Sequence, residues 1–142
     1  MRVVGVDVGA RRIGIAVSDL TRTLARPLTV LRPNHQGEGV GLVAKEVARL
    51  ADEEDGVKAV VVGLPSHLDG SPSEMTEKVR IFAKALQSRT GLPIAFQDER
   101  LSSREAESRL AVREKDWRMR KARLDAAAAA VILQDYLDAN HA

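Results

Sequence analysis

The spacing of apolar residues along this chain shifts from strand-like runs near the start to helical stripes later, and the shift predicts the element order. Residues 2–8 form a nearly continuous apolar run that reads as a buried strand, and Ile13–Ser18 reads as a second. Gly9-Ala10-Arg11-Arg12 between them is short enough for a hairpin turn, with Gly9 supplying backbone freedom. A third strand is expected over Leu24–Leu31, where Pro27 restricts it to an edge or a bulge because proline has no N–H for a ladder. The polar stretch Arg32–Gly39 breaks the pattern, and Leu42, Val43, Val47 and Leu50 then mark one face of a helix over about Val40–Asp52.

Val57–Leu64, with Ala59-Val60-Val61-Val62 at its centre, has the composition of a strand covered on both faces, as parallel strands between helices are. Ser71, Pro72 and Glu74 predict a capped helix start, and Val79, Phe82, Ala83 and Leu86 its buried face. Gly91-Leu92-Pro93 turns the chain into a last strand, Ile94–Asp98; Ser102 with Glu105 repeats the capping pattern. A final helix is expected over about Arg123–Asp138, packing through Leu124, Ala128, Val131, Ile132 and Tyr136. The charged stretch Ala111–Ala122 is expected to be a mobile loop. A three-strand meander followed by alternating helices and strands makes an α/β chain with a mixed sheet and helices on its faces.

At 142 residues the chain suits a single domain over 1–142 with one core. It has no cysteine, which excludes disulfides and thiolate chemistry. The apolar start is too short for a signal peptide or a membrane span, so no membrane partner and a cytoplasmic location are expected. Net charge is only +2, from 22 basic and 20 acidic residues, so global charge does not announce a polyanion partner. Distribution says more: Arg109, Arg113, Lys115, Arg118, Arg120, Lys121 and Arg123 face only Glu114 and Asp116 just before Asp125. That run is either a solvated face or a phosphate-binding surface.

Three acids stand out by position. Asp7 follows Val6 in the middle of an apolar strand, on the face shared with Val3 and Gly5, where a lone charge is costly unless paired or bound to a cation. Glu99 closes the last strand, and Asp125 lies in the first turn of the last helix, where the helix dipole tolerates an anion. Carboxylates brought together from separate elements repel unless a cation lies between them, and hard oxygen ligands favour Mg2+ or Mn2+. Asp98 is a reserve ligand: it is adjacent to Glu99 and so points the other way, and spacing alone does not choose between them. The small residues Ala126–Ala130 either let this helix approach the sheet closely or simply favour helix. Arg11 and Arg12 at the hairpin tip are phosphate-binding candidates or solvated turn residues. His67 in a loop and Trp117 among arginines are weaker candidates, for substrate contact and base stacking respectively. No zinc-site, serine-triad or Walker spacing is present.

Four segments together resemble the YqgF family, also called the RuvX or Holliday junction resolvase family, within the RNase H-like superfamily. They are Gly5-Val6-Asp7-Val8-Gly9-Ala10-Arg11-Arg12-Ile13-Gly14-Ile15-Ala16; Gly63-Leu64-Pro65 with Asp69-Gly70-Ser71; Asp98-Glu99-Arg100-Leu101-Ser102-Ser103; and Leu124-Asp125-Ala126-Ala127-Ala128 running to Ile132-Leu133-Gln134-Asp135-Tyr136-Leu137. The resemblance implies an RNase H-like fold, with a five-stranded mixed sheet of three antiparallel strands then two parallel ones. It implies a bacterial cytoplasmic nuclease that matures the 5′ end of pre-16S rRNA, with branched-DNA resolution as the older assignment. It also carries a catalytic, metal-binding role onto Asp7, Glu99 and Asp125. Arg11, Arg12, Arg118, Arg120, Lys121 and Arg123 would then hold structured RNA, or branched DNA, against a Mg2+ or Mn2+ centre. A monomer or weak homodimer is expected.

Two other classes remain at this level. Asp-Val-Gly before a hairpin also resembles the first phosphate loop of the actin and sugar-kinase class, but that fold clamps nucleotide between two domains and this chain has length for one. A non-catalytic RNA-binding module in ribosome assembly or transcription would bind without metal-dependent cleavage.

Overall fold

The computed structural model describes residues 1–99 and 117–140, the side chains of 36 and 117–125 excepted. Its elements run β1 (Arg2–Val8), β2 (Ile13–Ser18), β3 (Ala25–Leu31), α1 (Gln36–Ala51), β4 (Val57–Leu64), α2 (Glu74–Thr90), β5 (Ile94–Asp98) and α3 (Trp117–Asn140). The strands form one sheet in the order β3-β2-β1-β4-β5. β1 pairs antiparallel with β2 and β2 with β3, while β4 lies parallel to β1 and β5 parallel to β4. This is the expected mixed sheet. β3 is an edge strand, and its register shifts between Ile15 and Ala16, just where Ala16 comes opposite Pro27. The proline thus sits at both an edge and a bulge.

Strand alternation sends two separate sets of side chains to opposite faces. Val4, Val6, Val60 and Val62 meet Val43, Val47 and Leu50 of α1 and Val79, Ala83 and Leu86 of α2. Val3, Ala16 and Val61 meet Ala129, Ile132, Leu133 and Leu137 of α3 on the other face. The small residues of α3 do bring it close: Ala126, Ala128 and Ala129 are buried. A Cβ placed on Gly5 would lie 2.8 Å from Leu133 Cβ and 3.1 Å from the Ala129 carbonyl oxygen, so the helix backbone rests on a glycine of β1.

Three boundaries differ from expectation, each for a physical reason. α1 starts at Gln36 rather than near Val40, so its first turn includes Gly37 and Gly39, poor helix formers. Packing outweighs propensity there, since Gly39 lies against Ile13 and Phe82. α2 starts after Ser73, whose capping box is with Thr76 rather than between Ser71 and Glu74. Ser71 is already engaged: its amide and hydroxyl both donate to Asp69, at 2.9 and 2.6 Å, while Pro72 bridges to Ser66. α3 starts at Trp117, so residues 117–122 of the stretch expected to be a mobile loop are helical. Arginine, lysine and methionine are good helix formers, and a dense charge does not by itself interrupt a helix. The helix expected from Ser102 lies outside the described residues.

Arg2 fastens the bottom of the sheet. Its buried side chain donates to the carbonyl oxygens of Gly56 and Leu50 and to Glu53 at 2.9 Å. Arg2→Ala would leave two inward carbonyls without that donor and is expected to lower unfolding free energy by roughly 2–3 kcal/mol in denaturant titration.

Candidate active site

The carboxyl-terminal ends of β1, β4 and β5 lie side by side, which is where open α/β sheets place their chemistry. Asp7 is next to last on β1, opposite Gly14 of β2, and half-buried. On β4, Val62 pairs with Val6 and with Phe96, so Gly63 stands between the end of β1 and the end of β5. The Glu99 amide donates to the Leu64 carbonyl oxygen at 3.4 Å, extending the β4–β5 ladder one step past Asp98.

Parity on β5 separates the two neighbouring acids. Ile94 packs with the core on the α1 and α2 side, whereas Ala95 packs against α3. Asp98 therefore shares the Ile94 face and Glu99 the Ala95 face, which is also the face of Asp7. The Glu99 side chain accordingly reaches Asp7 and hydrogen-bonds it, while Asp98 is exposed and acts on Glu99 only through its charge. The reserve candidate stands outside the pair.

Gly63 makes that reach possible. Adjacent strands are about 4.8 Å apart, so Glu99 must cross the whole width of β4 to meet Asp7. It crosses directly over Gly63, where an added Cβ would collide with Glu99 Oε2 and with Ile132 Cδ1. In the sequence this glycine reads only as a position near the end of the expected strand Val57–Leu64 and as part of a motif segment. The signal was present in retrospect: a glycine ending a run of valines weakens a strand unless something needs the space above it.

The pair is electrostatically loaded. Burial first, then the charge of Asp7, the hydrogen bond to Asp7 and the charge of Asp98 push the Glu99 carboxyl up to about 9 from an ordinary 4.5. Without a cation, Glu99 therefore keeps its proton at neutral pH and shares it with Asp7. Its Oε2 atom is buried and has no hydrogen-bond partner among the described residues. An inward oxygen lacking a partner, beside a second carboxylate, suits a hard divalent cation. Among the described residues no three acidic, histidine or cysteine side chains gather as a metal group.

Asp125 belongs to the stretch whose side chains are outside the description, but its backbone position is fixed by α3. Leu137 packs with Val3 in the core on this face, Leu133 and Ala129 lie over Gly5, and so the helix runs antiparallel to β1. Four residues before Ala129, position 125 lies about 6 Å further along the helix axis, in the direction of the end of β1 that carries Asp7. Arg118, Arg120, Lys121 and Arg123 occupy the preceding turns of the same helix. Arg11 is exposed at the β1–β2 hairpin, which the Gly9 amide closes by donating to the Arg12 carbonyl oxygen at 2.8 Å. His67 is exposed in a loop closed by its own amide on Ser71, and among the described residues no hydrogen bond or ion pair ties it to Asp7 or Glu99.

The Glu99 shift has a stability consequence. Folded protein binds a proton that unfolded protein releases near 4.5. This stabilisation is complete below that value and is lost as pH rises through about 9. The melting temperature of metal-free protein is expected to fall from about pH 5 to about pH 9, and Mg2+ or Mn2+ to raise it most at the alkaline end, where no proton need be displaced. Thermal melts in buffers with and without metal check this.

Comparisons with known proteins bear on the family and the fold. The RuvX family, described as Holliday junction resolvase, matches residues 1–139. A protein of Anaeromyxobacter sp. (strain Fw109-5) bearing the name "Putative pre-16S rRNA nuclease" is 44% identical over 142 residues, all of both chains. One of Leuconostoc citreum (strain KM20) with the same name is 41% identical, covering 99% of this chain and 96% of its own. Among solved structures, Fowlpox virus resolvase in complex with Holliday junction DNA superposes with TM-score 0.61 over all of both chains at 11% identity. Thermus thermophilus RuvC in complex with a Holliday junction gives 0.55 at 19% identity, over 98% of this chain and 94% of that one. These likenesses make the fold RNase H-like. No helix among the described residues is long and apolar enough to cross a membrane.

Proposed function

Because the chain belongs to the RuvX Holliday junction resolvase family and is a nuclease that hydrolyses phosphodiester bonds, we propose that Asp7, Glu99 and Asp125 form its divalent-metal centre and that its substrate is the 5′ end of pre-16S rRNA. The observation that carries the metal centre is the buried contact of Glu99 with Asp7 across Gly63, with Glu99 Oε2 lacking a partner. Two carboxylates do not remain charged at such a contact without a cation. Mg2+ or Mn2+ held there would acidify water and neutralise charge on the phosphate. The residues of this chain do the rest. Asp7 is fixed by its strand, Glu99 is held over the glycine by β5 and α3, and Asp125 closes the set from the helix. Arg11 and Arg12 on the hairpin, with Arg118, Arg120, Lys121 and Arg123 on α3, fix the phosphate backbone. Contacts of that kind orient the strand without reading its sequence, so affinity should fall steeply with salt and sequence preference should be weak.

The rRNA substrate rests on relatives at 37–45% identity that share one name. This reading makes the protein a single-domain, cytoplasmic enzyme, monomeric or weakly dimeric. Branched DNA is the second reading, favoured by the description of the family. Symmetric resolution of a four-way junction needs two active sites at once, hence a stable dimer. Cleavage rates on a 5′-extended 16S precursor and on a four-way junction, measured beside the oligomeric state, test the two. Faster cutting of the precursor by monomer supports the first; paired nicks by dimer support the second.

A further inference from the structure

On the other side of the hairpin that follows Asp7 lies a second concave surface, a groove of about 410 Å3. Gly9 of the hairpin, Gly37 and Gly39 of α1, and Lys78, Phe82 and Ala85 of α2 are among the residues that line it. The volume is in the range of small-ligand sites, about 300–1,000 Å3. We propose that this groove receives one unstacked nucleobase of the substrate strand, laid against Phe82, with Lys78 on an adjoining phosphate. The proposal rests on the nucleic-acid reading above and deepens it, since it assigns a subsite on the far side of the hairpin.

Four observations point to a base rather than another occupant. The groove is near the candidate centre: Gly9, in its lining, follows Asp7 by two residues, at most about 7 Å of extended chain. It is apolar and carries the aromatic ring of Phe82, half-buried and so open on one side. Stacking on such a ring is how proteins hold unpaired bases without regard to sequence. Its space is made by glycine. A Cβ on Gly39 would lie 3.1 Å from Ile13 Cδ1 and 3.6 Å from Phe82 Cε2, so a larger residue would close the space beside the ring. Charge also agrees, because the lining contains Lys78 and no acid, while exposed Arg11 stands on the same hairpin. Glu38, between the two lining glycines, accepts from the Asn34 amide at 3.3 Å and lies 3.8 Å from His35.

The hairpin would then act as a divider, with the scissile phosphate on the Asp7 side and a neighbouring base on the other. A strand that straddles it must have that base unpaired, so the groove selects single-stranded ends or junction openings over continuous duplex. The polar edge of the base faces the open mouth and stays hydrated, so the subsite tolerates any base.

The test is a series of substrates each lacking one base near the cut, assayed for cleavage in Mg2+ and for affinity in Ca2+. In wild type, removal of the base at one position is expected to weaken binding about 5- to 100-fold. Phe82→Leu should cause a comparable loss on the intact substrate, and the two losses should not add. Ala85→Met, which fills the groove from a second direction, should behave likewise, with melting temperatures confirming that both variants fold. Equal affinity across the whole series, or additive losses in both variants, would overturn the proposal. A wild type that binds with the predicted base dependence yet never cleaves would count against the nuclease centre and leave the groove supported.

Discussion

Glu99→Gln is expected to abolish cleavage while making the metal-free protein more stable at alkaline pH. The two effects have one cause. In the folded protein Glu99 meets Asp7 in a buried setting that drives its carboxyl up to about 9. A carboxamide keeps the shape and the donor that the protonated acid offers Asp7, but has no charge to lose. The variant should therefore melt at the same temperature as wild type near pH 5 and at a higher one near pH 9, with the slope of wild type gone. With the anionic ligand removed, cation affinity collapses, and cleavage should fall by about 10^3-fold or more, because a bound cation supplies several kcal/mol of transition-state charge stabilisation. A variant that melts higher yet cuts at the wild-type rate would remove Glu99 from the centre. Gain of stability with loss of activity is the signature expected of repulsion held in place for function.

Gly63→Val should show the opposite combination, with both stability and activity lost. The position needs no unusual backbone angle, since the glycines with positive φ are Gly56, Gly70 and Gly91. What it needs is space. Even one Cβ would run into Glu99 Oε2 and Ile132 Cδ1, the second a buried side chain of α3. Overpacking of this kind costs about 1–3 kcal/mol, and relief is available only by tilting α3 away or by turning Glu99 off Asp7. Either response separates the carboxylates. Denaturant titration and cleavage rates together check this. A valine variant with unchanged midpoint and rate would show that Glu99 does not cross β4 as described. Gly63→Ala should show the same direction with a smaller effect.

Much of the fold was legible because periodicity and punctuation agreed. The alternation in β1 and β2, the valine run of β4 and the proline of β3 each have one mechanical reading, and all five strands lie within a residue of where those readings put them. Helix starts were less legible. Ser71-Pro72-Ser73-Glu74 holds two overlapping capping patterns, and the choice was made by Asp69, which takes Ser71 out of contention. The start of α1 was concealed by glycines that local propensity disfavours and tertiary contact requires.

The site was half legible. A carboxylate in the apolar first strand singles out Asp7 as a candidate without help, and strand parity could have separated Asp98 from Glu99. It needed one further fact, that Ala95 rather than Ile94 faces α3. Small residues are expected where a helix lies closest to a sheet, so Ala95 together with Ala126–Ala130 contained that hint. The groove beside Phe82 was not legible, because it is made by what is missing from a side chain, whereas the glycine ending the valine run of β4 left only a hint of the space above it.

We propose that the carboxylates at the end of this sheet hold the divalent cation with which the protein cuts phosphodiester bonds. The most direct measurement is single-turnover cleavage of a 5′-extended 16S precursor in Mg2+, in Mn2+ and in EDTA, comparing wild type with Asp7→Asn at equal RNA affinity. Cutting by wild type in metal, none in EDTA, and a loss of about 10^3-fold or more in the variant are expected. Cutting by Asp7→Asn at the wild-type rate, or cutting that persists in EDTA, would contradict it.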